Sequence, residues 1–120
     1  MRRRLTVICT LRSVSAWAAS PQVRALSLDD IARVESLVKM PPGAKSIANY
    51  NRFYALKVET GREVIWGVFL LDTFRPTPPT VHIVAPEEMP AVQDGGCSVV
   101  NLRYDIREAK ITAAFCNGLA

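Results

Sequence analysis

The stretch from residue 62 to residue 71, REVIWGVFLL, has apolar side chains at nearly every position. Successive side chains of a strand point to opposite faces, so Trp66 and Val68 lie on one side and Ile65 and Phe69 on the other. A strand with one face in water alternates apolar and polar residues instead. Both faces of this strand therefore need a cover. A curled sheet closing over its own core, a ligand cavity and a subunit interface would each provide one.

The residues just before this stretch supply a partner strand. Residues 52–59 also have an extended pattern, and Thr60-Gly61 between the two runs is typical of a hairpin turn in which Gly61 takes a positive φ. The turn predicts which residues lie opposite one another across the two strands. The expected pairs are Phe53 with Val68, Tyr54 with Gly67, Ala55 with Trp66, and Leu56 with Ile65.

A single helical pattern precedes the extended segments. Ser27 can cap the helix, and Asp29 and Asp30 favour its positively polarised start. Pro41-Pro42 ends it, because proline cannot donate a helical hydrogen bond. The outer side is predicted to carry Arg33, Glu35 and Lys39. The spacing predicts one buried stripe made of Leu28, Ile31, Ala32, Val34, Leu37 and Val38.

One helix followed by about four to five strands predicts an α+β fold, in which an N-terminal helix packs on an antiparallel sheet. Residues 21–120 are expected to form a single domain, since this length suits one hydrophobic core. In outline the layout resembles the cystatin-like and NTF2-like folds. No residue motif ties the chain to a named family.

The first twenty residues carry the whole net charge of +4, because residues 21–120 contain eleven Lys/Arg and eleven Asp/Glu. A basic start, the apolar run Leu5–Leu11 and the small residues around Ala16-Trp17-Ala18 are typical of an export signal, although Arg12 interrupts the pattern. We therefore predict a cleaved signal over residues 1–20 and a periplasmic or secreted protein with no stable membrane insertion after processing. The alternative is a retained basic amphipathic helix on a cytoplasmic protein.

The cysteines agree with export. Cys9 would leave with the signal, and Cys97 and Cys116 would remain as an even pair suited to an oxidising compartment. If residues 97–104 and 109–116 form a hairpin centred on Ile106-Arg107, Cys97 lies directly opposite Cys116, within reach of a disulfide. The alternative is two buried free thiols in a cytosolic protein.

Patterns for catalysis or metal binding are scarce. His82 is the sole histidine and is interpreted as a surface residue of the strand Thr80–Ala85. No His, Cys or carboxylate residues stand at spacings typical of zinc or calcium sites, so no metal and no cofactor are predicted. Nucleic-acid binding is not expected either. It needs a basic face, and Arg52, Lys57 and Arg62 are interspersed with acids.

The remaining hypothesis is recognition by shape. The loop around Phe74 and Arg75 is stiffened by prolines, which lowers the entropy cost of binding. We predict a small exported, non-enzymatic binding module that contacts a protein partner or a second copy, as an inhibitor, an immunity-type partner or an accessory subunit. The alternative is a small-ligand or weakly catalytic cavity on a curled sheet, with His82 or a carboxylate inside it and Trp66 on its wall. The candidate surface comprises Phe53, Trp66, Val68, Phe74, Arg75 and His82.

Overall fold

In the part of the chain that the structure describes, one helix packs on a five-stranded sheet. The structure is a computed structural model, and it describes residues 25–71 and 78–119. The elements in chain order are α1 (Leu28–Leu37), β1 (Asn51–Glu59), β2 (Arg62–Leu70), β3 (Val81–Ile83), β4 (Val99–Asp105) and β5 (Lys110–Cys116). Short 3-10 turns occupy Ile47–Asn49, Pro86–Glu88 and Gly96–Ser98. The α+β class is confirmed, and the two fold-family resemblances stay predictions.

Helix α1 begins where the sequence predicts, at a capping box. The Ser27 hydroxyl accepts the backbone N–H of Asp30 at 3.1 Å, and the Asp30 carboxylate accepts the backbone N–H of Ser27 at 2.9 Å. Both donors would otherwise lack a helical partner. The helix ends at Leu37, ahead of the proline pair, where Val38 adopts an extended conformation.

The buried stripe of α1 is narrower than predicted. Ile31 and Val34 are buried, whereas Leu28 and Leu37 are 68% and 45% exposed and Ala32 is also exposed. A straight helix of ten residues lies over a twisted sheet here, so contact is closest around its middle turn. The prediction is right for Ile31 and Val34 and wrong for Leu28, Ala32 and Leu37.

The β1–β2 hairpin has the predicted register. Thr60 and Gly61 take positive φ values of 48° and 77°, a turn geometry that suits the twist of the two strands. A Cβ on Gly67 would lie 3.2 Å from Cε1 of Tyr54, so the glycine makes room for the tyrosine ring. The observed pairs include Phe53 with Val68, Tyr54 with Gly67, Ala55 with Trp66, and Leu56 with Ile65.

The sheet is mixed, which corrects the prediction of an antiparallel sheet. Its strand order is β3-β1-β2-β4-β5, and β3 runs parallel to β1 while the other neighbours are antiparallel. Strand β2 ends at Leu70, opposite Asn51 at the start of β1. The chain therefore reaches the outer side of β1 near its first residues, and a strand that pairs from there must run in the direction of β1. Only Val81–Ile83 pairs, so β3 is shorter than the predicted Thr80–Ala85.

The disulfide between Cys97 and Cys116 is confirmed, with Cα atoms 4.6 Å apart. The strand pairing from which it was predicted is wrong. Cys97 lies in the 3-10 turn before β4 and is not part of that strand. The β4–β5 register also shifts between Arg103 and Tyr104, where Thr112 is the extra residue of a bulge. The disulfide therefore joins the turn before β4 to the end of β5.

The face of the sheet that α1 covers, called here the first face, holds the larger core. The Tyr54 ring meets the Phe69 ring edge-on, with centroids 5.6 Å apart. The Tyr50 hydroxyl donates to the Cys97 carbonyl at 2.7 Å and so connects this core to the disulfide. The buried residues of the cluster are Ile31, Val34, Tyr50, Tyr54, Leu56, Ile65, Phe69, Val100, Leu102 and Tyr104.

A carboxylate on α1 ties the helix to β1. One oxygen of Glu35 accepts from the Tyr54 hydroxyl at 2.6 Å and from Nε of Arg52 at 2.8 Å. Glu35 is half-buried, although the sequence predicts it on the outer side of the helix. Burial and then the hydrogen bond to Glu35 raise the pKa of Tyr54, so its hydroxyl keeps its proton and remains a donor at neutral pH.

Replacing Tyr54 tests this tie between helix and sheet. Tyr54→Phe removes the donor and leaves the ring in place, so we expect the free energy of unfolding to fall by about 1–2 kcal/mol. Urea unfolding measures it. Tyr104→Phe is the matched control, because Tyr104 is buried and its hydroxyl has no hydrogen bond to the described residues. Equal losses in the two variants would contradict the role given to Glu35.

Candidate functional site

The opposite side of the sheet, called here the second face, carries every predicted candidate that the structure describes. Phe53 lies opposite Val68 and beside His82, and Trp66 is two residues before Val68 on the same strand. These four side chains therefore share one face. Phe74 and Arg75 lie outside the described residues, as does the predicted export segment, residues 1–20.

Residues 84–95, called here the covering segment, lie over part of the second face. Met89 is buried in a cluster with Ala55, Val68 and Val99. At the far end, the side-chain amide of Asn117 donates to the carbonyls of Val92 and Asp94, at 2.7 and 3.0 Å. The chain itself thus encloses Val68, so this residue is unavailable to a partner in this conformation.

His82 stacks on another candidate. Its ring is 4.6 Å from the Phe53 ring and nearly parallel to it, with 13° between the planes. Its Nε2 lies 3.0 Å from the Thr80 hydroxyl. His82 and Phe53 are both half-buried. The pair belongs to the β3 edge of the second face.

Trp66 lies at the margin of the covered area, between charged residues from both neighbouring strands. Lys57 of β1 places Nζ 4.4 Å from the centroid of the indole ring, and Arg103 of β4 places its guanidinium carbon 5.7 Å from it. Both distances fall within the range of cation–π attraction. Glu59 joins the two cations, with one oxygen 3.2 Å from Lys57 Nζ and the other 3.2 Å from Arg103 Nε. These four residues are called the Trp66 patch.

The Trp66 patch is open to solvent. The side chains of Lys57, Glu59 and Arg103 are 28%, 31% and 32% exposed, and Trp66 is half-buried. The patch contains two cations and one carboxylate, which leaves one excess positive charge. An aromatic ring beside a guanidinium and an ammonium group binds partly apolar, partly anionic surfaces well.

Two grooves lie away from this patch. One, of about 280 Å³, is lined by apolar residues that include Leu26, Leu56 and Ile83, and the other, of about 260 Å³, includes Arg62. Neither groove is lined by His82 or Trp66. These two side chains stand on strands separated by β1, roughly 10 Å apart across the sheet. The hypothesis of a cavity around His82 finds no support in either groove.

Three residues of the Trp66 patch were not predicted from the sequence: Lys57, Glu59 and Arg103. The predicted hairpin register already places Lys57 two residues beyond Ala55, the partner of Trp66, so this cation was within reach of prediction. Arg103 lies opposite Trp66 only because β4 pairs with β2. No short turn connects those two strands, and nothing in the sequence indicates their register.

The cations near the first hairpin do not form a basic cluster. Arg52 binds Glu35, Lys57 binds Glu59, and Arg62 binds two other carboxylates.

Among residues 25–71 and 78–119, no three His, Cys, Asp or Glu side chains form a group that could hold a metal ion. Within those ranges no helix is long and apolar enough to cross a membrane.

No protein-family model, curated protein or solved structure matches the chain.

Arg62 stands in an ion-pair network next to the Trp66 patch. One nitrogen of its guanidinium is 2.9 Å from Asp105 and 3.3 Å from Glu108, and Lys110 is 3.2 Å from Glu108. The backbone N–H of Glu108 and then the Arg62 guanidinium hold the pKa of Asp105 below its usual value, although partial burial acts the other way. The pKa of Glu108 is lowered by Lys110 and then by Arg62.

These pKa shifts predict how stability depends on pH. A carboxyl whose pKa is lower in the folded state stabilises the fold above its unfolded pKa of about 4, and this contribution is lost as the pH falls through the folded pKa. Asp105→Asn should therefore destabilise the protein most near neutral pH and progressively less in acid. Urea unfolding from pH 7 to pH 2 measures this. Glu87→Gln, at an exposed carboxylate, is the control, and a pH-independent loss in Asp105→Asn would contradict the network.

Proposed function

We propose that this chain is a small exported, disulfide-stabilised, non-enzymatic binding module that acts through protein–protein contact at the Trp66 patch. The observation that carries the proposal is that the described residues cover the second face incompletely. The covering segment encloses Ala55, Val68 and Val99 and leaves Trp66 at its margin, between two partly exposed cations. An inhibitor, an immunity-type partner and an accessory subunit are the roles we propose for such a module.

The chemistry of the patch supports contact with a protein. Tryptophan and arginine are among the residue types whose truncation most often weakens protein interfaces, because tryptophan buries a large apolar area and arginine donates several hydrogen bonds. Trp66 and Arg103 lie directly opposite each other on adjacent strands. A patch on a sheet surface fits another surface better than it encloses a small molecule, which needs a concave site.

The export part of the proposal is supported by the disulfide. Disulfides persist in oxidising compartments and are rare in the cytosol, so the Cys97–Cys116 bond fits a periplasmic or secreted protein. The basic and apolar pattern of residues 1–20 is the second support.

Mass spectrometry of the protein recovered from its native source tests export. We expect a chain that begins near residue 20, with Cys97 and Cys116 together two hydrogens lighter than free thiols. Reduction before measurement is the control and should restore the two hydrogens. Recovery of an intact Met1 together with free thiols would overturn both the compartment and the export signal.

Photo-crosslinking tests the contact surface. A benzophenone side chain is placed at Ala113, which lies opposite Arg103. In cells of the native source it should give a discrete crosslinked product of this chain with its partner. Trp66→Ala should weaken this contact by at least about tenfold, the effect of removing an interface hot spot. Leu37→Ala, which removes a partly exposed apolar side chain from α1 on the other side of the sheet, should leave the product in place. Circular dichroism checks that both variants fold, and a product that survives Trp66→Ala would contradict the proposal.

A further inference from the structure

We infer that the partner of the Trp66 patch is an acidic segment of another protein, whose carboxylate displaces Glu59 from between Lys57 and Arg103. This inference rests on the proposed contact function and names the chemistry of the partner. It starts from the arrangement of Glu59, whose two oxygens each bind a different cation at 3.2 Å. Glu59 therefore occupies the position of an anionic ligand.

The bonds of Glu59 are suited to exchange. Charge-assisted hydrogen bonds of good geometry are about 2.7–2.9 Å long, so contacts of 3.2 Å are loose. All three charged side chains are about one third exposed, and ion pairs in water contribute little to stability. The pair of Arg52 with Glu35 differs in both respects, since it is 2.8 Å long and its side chains are 14% and 21% exposed. An incoming carboxylate therefore has to break only two weak contacts to displace Glu59.

Arg103 keeps donors for a second anion. It binds Glu59 through Nε, and within the described residues neither of its Nη nitrogens has a hydrogen bond to protein. The two-pronged end of a guanidinium fits a carboxylate with two parallel hydrogen bonds. Lys57 adds a second cation on the other side of Trp66, because β1 and β4 flank β2.

The indole ring makes a protein segment a better ligand than a free anion. Trp66 packs against the covered apolar cluster on one side and is partly exposed on the other. An acidic side chain followed by an apolar one would bind the cations and cover the ring at the same time. One excess positive charge is too little to hold a membrane surface or a nucleic acid, which need many cations.

Fluorescence of Trp66 tests the displacement. In the full chain carrying Trp17→Phe, Trp66 is the sole tryptophan. The probe is poly-glutamate at low salt, and we expect it to change the Trp66 emission. Glu59→Gln should tighten binding by about fivefold, because the internal competitor is removed, and Arg103→Gln should weaken it by a similar factor.

Two matched variants separate displacement from net charge. Glu63→Gln changes the charge of the same hairpin by the same amount, but Glu63 pairs with Val58 on the first face, outside the patch. Arg107→Gln is the corresponding control for Arg103 and removes an exposed cation. Both should change the affinity less than about twofold. Equal effects of Glu59→Gln and Glu63→Gln would overturn the inference, as would emission changes caused by phosphatidylserine vesicles and not by poly-glutamate.

The same variants in the crosslinking experiment separate the inference from the proposed function. Loss of the product in Trp66→Ala together with a gain in Glu59→Gln supports both. Loss in Trp66→Ala with no response to Glu59→Gln or Arg103→Gln overturns the inference and leaves the contact function standing. A product that persists in Trp66→Ala overturns the contact function. A product with the mass of two chains identifies a second copy as the partner and overturns the acidic segment of another protein.

Discussion

The architecture depends on one constraint, the need to cover both faces of β2. This strand lies at the centre of the sheet, and its apolar side chains alternate between the helix side and the opposite side. Helix α1 covers the first face. Among the described residues, the covering segment covers the second face, and it lies there because the chain must pass from β3 at one edge back to β4 beside β2. The segment buries Met89 there and ends before Trp66 is fully enclosed.

Local signals in the sequence predicted the parts of the fold that form between near neighbours. The turn at Thr60-Gly61 determines the β1–β2 register, and a side chain at Ser27 determines the start of α1. The β4–β5 register could not be predicted from the sequence, because no turn motif indicates the extra residue that the bulge adds at Thr112. The parallel direction of β3 depends on the end of β1 at which β3 begins to pair, which is a property of the folded chain.

The same distinction explains the candidate site. Alternation along strands was enough to predict that Phe53, Trp66 and Val68 share a face, and the pairing of β3 adds His82. Alternation does not reveal which of them a covering segment will bury, so Val68 was predicted as part of the candidate binding surface and is enclosed. Arg103 comes from a strand paired over long range, and only the folded sheet brings it to Trp66.

The charges around Trp66 serve the free protein as well as the proposed complex. A bare indole ring at the margin of an apolar cluster would favour aggregation, and the ammonium group of Lys57 and the guanidinium of Arg103, which lie over the ring, shield it. Glu59 completes this shield because it neutralises part of their charge. Binding an acidic segment replaces one carboxylate with another, so the cations need not lose their pairing when the ring is covered. The charges that shield the ring in the free protein are therefore the ones that would pair with the proposed acidic segment.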